Sequence, residues 1–427
     1  MKVLLLSLYH PELVRGGAQQ ICHDLFEGLS EIPGIEPTLL AAVDPTMPQL
    51  YKSGARITGF DGRPNQFVFL SRGYDYFWNR LDGDDLAEAF ASFLTQVNPD
   101  VVHFHHFLLF GLDFLTLTRR VLPNARIVFT FHEFLAICMA NGQMVRATDG
   151  SICERATPIR CHQCFPDVTP EYFFMRELWV KRHLQSVDVF TTPSRFMVDL
   201  YADWGVDPTR IVHVTNGQGD NRIGRLPDRP RDRRNRFGFF GQMVDNKGVW
   251  VILQAVSLLR AEGFTDFTVE LNGDNLRYAS EARRQEIEDF LKAERALPLK
   301  DRILAHNGGY EVGQLATLMS RIDWCLVPSV WREAFGLVVS EASMFGRPVI
   351  CSNVGGMAER VFDEVNGLHF AVGDARSLAE TIRRASTEDG LWDRIAAGVK
   401  PPAGRDVMVS GFLELYRDAT LAAAAAA

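Results

Sequence analysis

Short apolar runs alternate with helical patterns along nearly the whole chain, and no other feature restricts the fold as much. "KVLLLSL" near the start reads as a strand, and "AQQICHDLFEGLS" after it places Ile21, Leu25 and Leu29 on one helical face. "PTLLAAV", "DVVHFHHF", "RIVFTFHEF", "VDVFTTPS" and "RIVHVTNG" follow as strands, mostly with helices such as "LAEAFASFLTQV" and "RFMVDLYADWG" between them. After Asn216-Gly217 an Arg- and Pro-rich stretch runs to about Arg236, the composition of a linker. The alternation then restarts. "RFGFFGQM", "FTVELNG", "DRILAHNG", "DWCLVPS" and "PVICSNV" read as strands, and "GVWVILQAVSLLRAEG", "SEARRQEIEDFLKAER", "EVGQLATLMSRI" and "SLAETIRRAS" as helices. The expected class is α/β: two Rossmann-like, doubly wound parallel-sheet domains facing across a cleft. The expected boundaries are 1–216, a linker 217–236, 237–404, and an amphipathic helix over 405–421 that packs back on the first domain.

Charge narrows the partners. A net charge of −8 and a pI near 5.8 imply no dominant basic face, which excludes nucleic acid as the main partner. The arginines at 229, 231, 233, 234 and 236 are diluted by Asp228 and Asp232 and read as a solvated linker. No apolar stretch reaches the ~18 residues of a membrane span, and "MKVLLLSLYHPE" lacks a cleavage site. The expected location is therefore cytoplasmic, with reduced cysteines.

"SVWREAFGLVVSEA", from Ser329 to Ala342, sets two acids in an otherwise apolar turn and helix. Buried carboxylates are costly unless something pairs with them, and a ligand rich in hydroxyl groups would do so. Glu333 is expected in a loop at the end of the strand "DWCLVPS", and Glu341 in the helix that opens at Gly336. Eight residues of helix rise ~12 Å, of the order of the span from a ribose to the sugar of a nucleotide-sugar. "FFGQMVDNKG" adds Lys247 just before a helix, where a lysine supplies a point charge for phosphate. "RGGAQQ" places Gly16 and Gly17 ahead of the first helix; backbone approach to an anion is one reading and a plain tight turn the other.

With these elements the chain resembles the GT-B glycosyltransferases of family 4, retaining enzymes that use nucleotide-sugars. The resemblance is carried by Glu333-x7-Glu341 with "FGLVVSEA" inside it, by "NKG" at 246–248 and by "NVGGMAE" at 353–359; "RGGAQQ" and "FHE" at 131–133 agree with it. It implies catalytic roles for Glu333, His132 and Lys247. It also implies donor contacts from Gly16, Gly17, Gln242, Lys247, Tyr310, Glu333, Phe335, Gly336, Leu337 and Glu341. The first Glu would contact the donor sugar, the second the ribose, the Lys the diphosphate, and His132 would lie near the sugar. The donor would be a UDP- or GDP-sugar and the acceptor a glycan or lipid-linked glycan of the bacterial surface. No cofactor would be required for catalysis. The family commonly has Gly-Arg where this chain has Gly241-Gln242, which removes one fixed positive charge. An epimerase or phosphorylase on the same architecture, or a sugar-nucleotide-binding protein without turnover, are the alternatives.

Two further clusters stand out. His103, His105 and His106 crowd one strand end and are read as lining an acceptor pocket rather than as a metal site. Cys138, Cys153, Cys161 and Cys164 share an irregular insert, about 138–166, where four thiols including a C-x2-C pair suit a tetrahedral structural zinc; His162 could replace one, and free loop thiols are the other reading. Finally, "YFFMRELWVKRHL" (172–184), with Arg176, Lys181 and Arg182, and the aromatic "NQFVFLSRGYDYFWNR" (65–80) lie in the first domain; an amphipathic face buried in the core is the preferred reading, and peripheral membrane contact the other.

Overall fold

The first strand shows why the alternation succeeds. β1 (Lys2–Leu8) buries Val3, Leu4, Leu5 and Leu6 completely, as a parallel strand covered on both faces requires. The structure, a computed structural model, describes residues 1–51, 54–60, 62–218 and 233–418, and divides into two units: Met1–Gly219 with Ala403–Ala427, and Asp220–Pro402. Most of the expected linker lies outside the described residues.

In the first unit, β1 is followed by β2 (Glu36–Val43), β3 (Ile57–Gly59), β4 (Gln66–Leu70), the small pair β5 (Tyr74–Asp75) and β6 (Arg80–Leu81), β7 (Val101–Phe104), β8 (Arg126–Thr130), β9 (Val189–Thr192) and β10 (Ile211–His213). Eight of them form one sheet in the order β10-β9-β8-β7-β1-β2-β4-β3, parallel except for β3 at the edge. The helices are α1 (Gly17–Ser30), α2 (Asp84–Val97), α3 (Asp113–Val121), α4 (Pro158–Cys164), α5 (Pro170–Leu184) and α6 (Arg195–Trp204). A C-terminal helix, Arg405–Arg417, belongs to this unit: Arg405 pairs with Glu31, the residue that caps α1, at 2.5 Å, and the Tyr416 hydroxyl meets His103 Nδ1 at 2.7 Å.

Two expectations for this unit are corrected. The aromatic stretch 65–80 contains β4, whose Val68, Phe69 and Leu70 are buried, with Phe69 stacked on Phe110 at 5.3 Å, so that its first aromatics belong to the sheet while Tyr76 stays exposed. In α5, Arg176 is only 3% exposed, and its guanidinium donates to the carbonyls of Phe77 (3.0 Å), Ala136 (3.1 Å) and Leu135 (2.7 Å). Lys181 is held by Glu177 at 2.6 Å. Of the three basic residues expected at a surface, only Arg182 is exposed. Beside Glu171 and Arg182, α5 exposes an apolar patch of Tyr172, Phe174, Met175 and Leu178.

The second unit repeats the plan with β11 (Arg236–Phe240), β12 (Thr268–Asn272), β13 (Leu304–Gly308), β14 (Trp324–Val327), β15 (Val349–Ser352) and β16 (Gly367–Phe370), all parallel, in the order β13-β12-β11-β14-β15-β16. Its helices are α7 (Val249–Ala261), α8 (Glu281–Ala296), α9 (Leu315–Met319), α10 (Leu337–Met344), α11 (Gly355–Arg360), α12 (Ala375–Thr387) and α13 (Leu391–Gly398), and the C-terminal helix above is α14. Val251, Ile252, Ala255 and Leu259 of α7 pack with Phe237, Phe239 and Leu326 of the sheet in one buried core. Among the described residues no helix is long and apolar enough to cross a membrane.

Candidate active site

The strand order of the second unit reverses between β11 and β14, and the loops after those two strands carry Gln242, Lys247 and Glu333. Doubly wound sheets open a ligand crevice at such a reversal, beyond the carboxyl ends of the strands. Backbone contacts draw the motifs together there. Gly248 (φ +71°) sits where a Cβ would fall 1.9 Å from the Pro328 carbonyl oxygen, and the Val330 N–H donates to the Asn246 carbonyl at 2.9 Å. Across the same loop, a Cβ on Gly355 (φ +63°) would lie 2.9 Å from the Glu333 backbone, and the Gly356 N–H donates to the Glu333 carbonyl at 2.8 Å. The glycines of "NKG" and "NVGG" therefore let two segments press against the Glu333 loop, where any side chain would hold them off.

Glu333 is 8% exposed, and its Oε1 accepts from Lys247 Nζ at 2.6 Å, Ser329 Oγ at 2.7 Å and Trp331 Nε1 at 3.2 Å. Burial alone would raise its pKa, but the Lys247 charge and these three hydrogen bonds outweigh it and hold the carboxyl below its ordinary value. Glu341 lies half-buried in α10. Burial first, and the Glu341 charge second, push the Tyr310 hydroxyl above its usual range, so that ring and carboxylate are electrostatic neighbours. The expected eight-residue helical rise is corrected: α10 begins only at Leu337, so half of the Glu333–Glu341 separation is loop. Phe335 and Gly336 are buried, Leu337 is half-buried and Gln242 is exposed. The Arg360 guanidinium donates to the carbonyls of Phe335 (3.2 Å) and Gly336 (3.1 Å) and lies 3.8 Å over the Phe335 ring, bracing the start of α10. The sequence reading missed Ser329, Trp331 and Arg360.

The order of the first unit's sheet reverses between β1 and β7. Gly16 caps α1 in an extended conformation (φ −163°) that does not require glycine, and Gly17 opens the helix. His105 and His106 follow β7, and His132 and Glu133 follow β8. His105 Nδ1 meets His132 Nε2 at 2.9 Å; His103 is satisfied by Tyr416 and by Thr130 Oγ1 at 2.7 Å. Burial lowers all four imidazoles, His106 to about 4 and His132 to about 3, and neighbouring histidines lower His103, His105 and His132 further. At neutral pH these rings are uncharged hydrogen-bonding groups. Burial pushes Glu133, 3.6 Å from His106 Nε2, up to about 8.

The family model for glycosyl transferases group 1 matches residues 227–398, and that for Glycosyltransferase Family 4 matches residues 15–218. The chain belongs to this glycosyltransferase family. A glycogen synthase of Mycobacterium tuberculosis is 24% identical over 425 residues, covering 96% of this chain and 91% of that protein. A D-inositol 3-phosphate glycosyltransferase of Xylanimonas cellulosilytica is 34% identical over 125 residues, 29% of this chain and 30% of that one. Among solved structures, Anabaena Alr3699/HepE in complex with UDP and glucose aligns with a TM-score of 0.65 at 16% identity, over 97% of this chain and 99% of that one. Sucrose-phosphate synthase from Thermosynechococcus elongatus aligns at 0.67 and 19%, over 97% and 98%. The fold of this glycosyltransferase is GT-B.

Lys247 of the glycosyltransferase is thus tied to Glu333 through one of the three donors of its ammonium. Lys247→Ala is expected to lower turnover by about 10-fold or more and, unlike a change at an idle surface lysine, to lower stability by about 1–3 kcal/mol at neutral pH, because a buried carboxylate loses its counter-charge. Denaturant unfolding and initial rates check both; wild-type values in both would free Lys247 from the site.

In the glycosyltransferase's insert the four cysteines are unoxidised and half-buried. Burial raises the thiols of Cys138 and Cys153 and pushes Cys161 up to about 12, and neighbouring thiols of the set add to each. The sulfurs have not converged on a cage: among the described residues, the group of three metal-ligand types found with donor atoms within 4.8 Å of one another is His23, Asp24 and Glu27. His162 turns its Nδ1 to the Val168 carbonyl at 2.8 Å.

Proposed function

We propose that the protein transfers a hexosyl unit from a nucleoside diphosphate sugar to a hydroxyl of a glycan or lipid-linked glycan, with retention at the anomeric carbon, in the assembly of a bacterial surface polysaccharide or glycolipid. The observation that carries this reading is Glu333: an ionised, buried carboxylate beside Lys247 at the strand-order reversal. It suits the orientation of sugar hydroxyls next to a leaving diphosphate. The acceptor hydroxyl attacks the anomeric carbon on the face that the diphosphate occupies. The bond from that carbon to the phosphate oxygen breaks, and the departing phosphate takes the acceptor's proton. The protein's share is orientation and charge stabilisation: Glu333 holds the sugar, Lys247 offsets charge on the diphosphate, and Glu341 accepts from the ribose. The solved relatives with UDP-glucose and with ADP bound support a nucleotide-sugar donor. The test is a thermal-shift panel of UDP-, GDP- and ADP-sugars, followed by NMR of the anomeric signal in the product formed with the stabilising donor. An inverted product overturns retention, and no shift with any of the three overturns the donor site.

For the insert, we propose one structural zinc held by Cys138, Cys153, Cys161 and Cys164. The clustered thiols support it, and binding would draw the sulfurs in to ~2.3 Å from the metal. Elemental analysis of protein purified without chelators is expected to find about one zinc per chain, with chelation lowering the melting temperature. Metal-free protein with four readily titrated thiols at these positions overturns it. The acceptor reading also includes a weak bilayer contact by the first unit, through the exposed apolar face of α5.

A further inference from the structure

We propose that Trp331, together with Ser329, is a positioning residue for Glu333: the two side chains and Lys247 converge on Oε1, fix the plane of the carboxylate and leave Oε2 to the donor sugar. This rests on the donor role of Glu333 read above.

The terminal torsion of a glutamate is broad and roughly two-fold, so a carboxylate held by one donor swings. Here three donors of different origin meet on one oxygen, at 2.6, 2.7 and 3.2 Å. Among the described residues none donates to Oε2, and that oxygen is not sealed from solvent. The donors are themselves fixed. Ser329 is 1% exposed, and the Val330 N–H, between Ser329 and Trp331, is bonded to Asn246, the neighbour of Lys247. The half-buried Trp331 ring lies 5.8 Å from the Lys247 ammonium, within cation–π reach. An indole N–H only donates, so Trp331 supports the ionised carboxylate and not the neutral acid's hydroxyl. Ser329 can do either. The charged group facing Glu333 from the segment before α7 is Lys247, and α11 meets its loop with the backbone of Gly355 and Gly356.

Trp331→Phe keeps an aromatic ring and removes the N–H; Ser329→Ala removes the hydroxyl. Each is compared with Glu333→Gln for hydrolysis of UDP-glucose, GDP-mannose and ADP-glucose. In parallel, the indole 15N–1H signal of Trp331, assigned by its loss in Trp331→Phe, is followed against pH in the wild type and in Glu333→Gln. Trp331→Phe is expected to lower kcat by about 10-fold with little change in KM, and to move the acid limb of the rate profile to higher pH. The indole signal is expected to titrate below the ordinary carboxylate range in the wild type and to stay flat in Glu333→Gln. If Glu333→Gln abolishes hydrolysis while Trp331→Phe and Ser329→Ala stay within about two-fold with the same acid limb, the positioning role is overturned and the donor role stands. Wild-type rates in Glu333→Gln remove the donor role itself. An indole signal with no pH response that Glu333→Gln abolishes overturns the contact, whichever sugar is turned over.

Discussion

Glu333→Gln is expected to lower sugar transfer by about 10²-fold, the scale of removing one preorganised electrostatic contact from a reacting centre, while the fold survives. The amide has the carboxylate's volume and still offers an oxygen to Ser329 and Trp331. What it loses is the charge opposite Lys247, and it puts an NH₂ where an acceptor faced the sugar. The pH dependence has a definite sign. The Glu333 carboxyl is held below its ordinary value by Lys247 and its hydrogen bonds, against the effect of burial. Its ionisation therefore contributes stability above the unfolded pKa of about 4.3, and that contribution is lost as pH falls through the lower, folded value. The melting temperature of the wild type should exceed that of the variant at neutral pH, and the gap should close in acid. A variant with unimpaired transfer, or a gap that widens in acid, would contradict the assignment.

The legible part of this site was the part written in residue types that an apolar loop does not otherwise use. Two acids beside an apolar helix and a lysine closing "NKG" are anomalies in composition, and composition is visible in a string. The central strands of both sheets were legible for the same reason, because strands covered on two faces leave apolar runs such as "VLLL". The donors on Glu333 were not. Ser329 and Trp331 look unremarkable in a turn, and their meeting on one oxygen depends on a loop conformation that no residue type announces. β4 was hidden by an aromatic-rich surround that reads as surface, and β3 by its brevity: three residues at an edge carry almost no period. The cysteine spacing set four thiols in one insert, but no spacing gives the separations of their sulfurs. His105 against His132 joins the ends of two neighbouring strands, and sheet order is not readable from either strand alone.

Arg176→Ala is expected to destabilise the first unit by about 3–5 kcal/mol, more than any surface arginine. In sequence Arg176 sits among aromatics with Lys181 and Arg182 and reads as the basic flank of an interfacial helix. In the structure its guanidinium is buried beneath α5, where it holds three carbonyl groups, two of them just before the cysteine-bearing insert. Removing it leaves those carbonyls buried without donors, and leaves a cavity where the stem packed. Arg176→Met, which refills the volume but not the hydrogen bonds, should recover only the packing part. Urea unfolding of the two variants separates these contributions, and a loss below about 1 kcal/mol in Arg176→Ala would mean that the carbonyls find other partners. The consequence reaches the membrane reading. Replacing Arg176 together with Lys181 and Arg182 would reduce liposome binding by loosening the unit, whatever the electrostatics. Phe174→Ser with Met175→Ser touches only the outward face of α5, where both side chains are about half exposed, and is the change expected to lower cosedimentation with anionic liposomes at an unaltered unfolding midpoint. Equal cosedimentation of that variant and the wild type would leave a soluble acceptor as the better account.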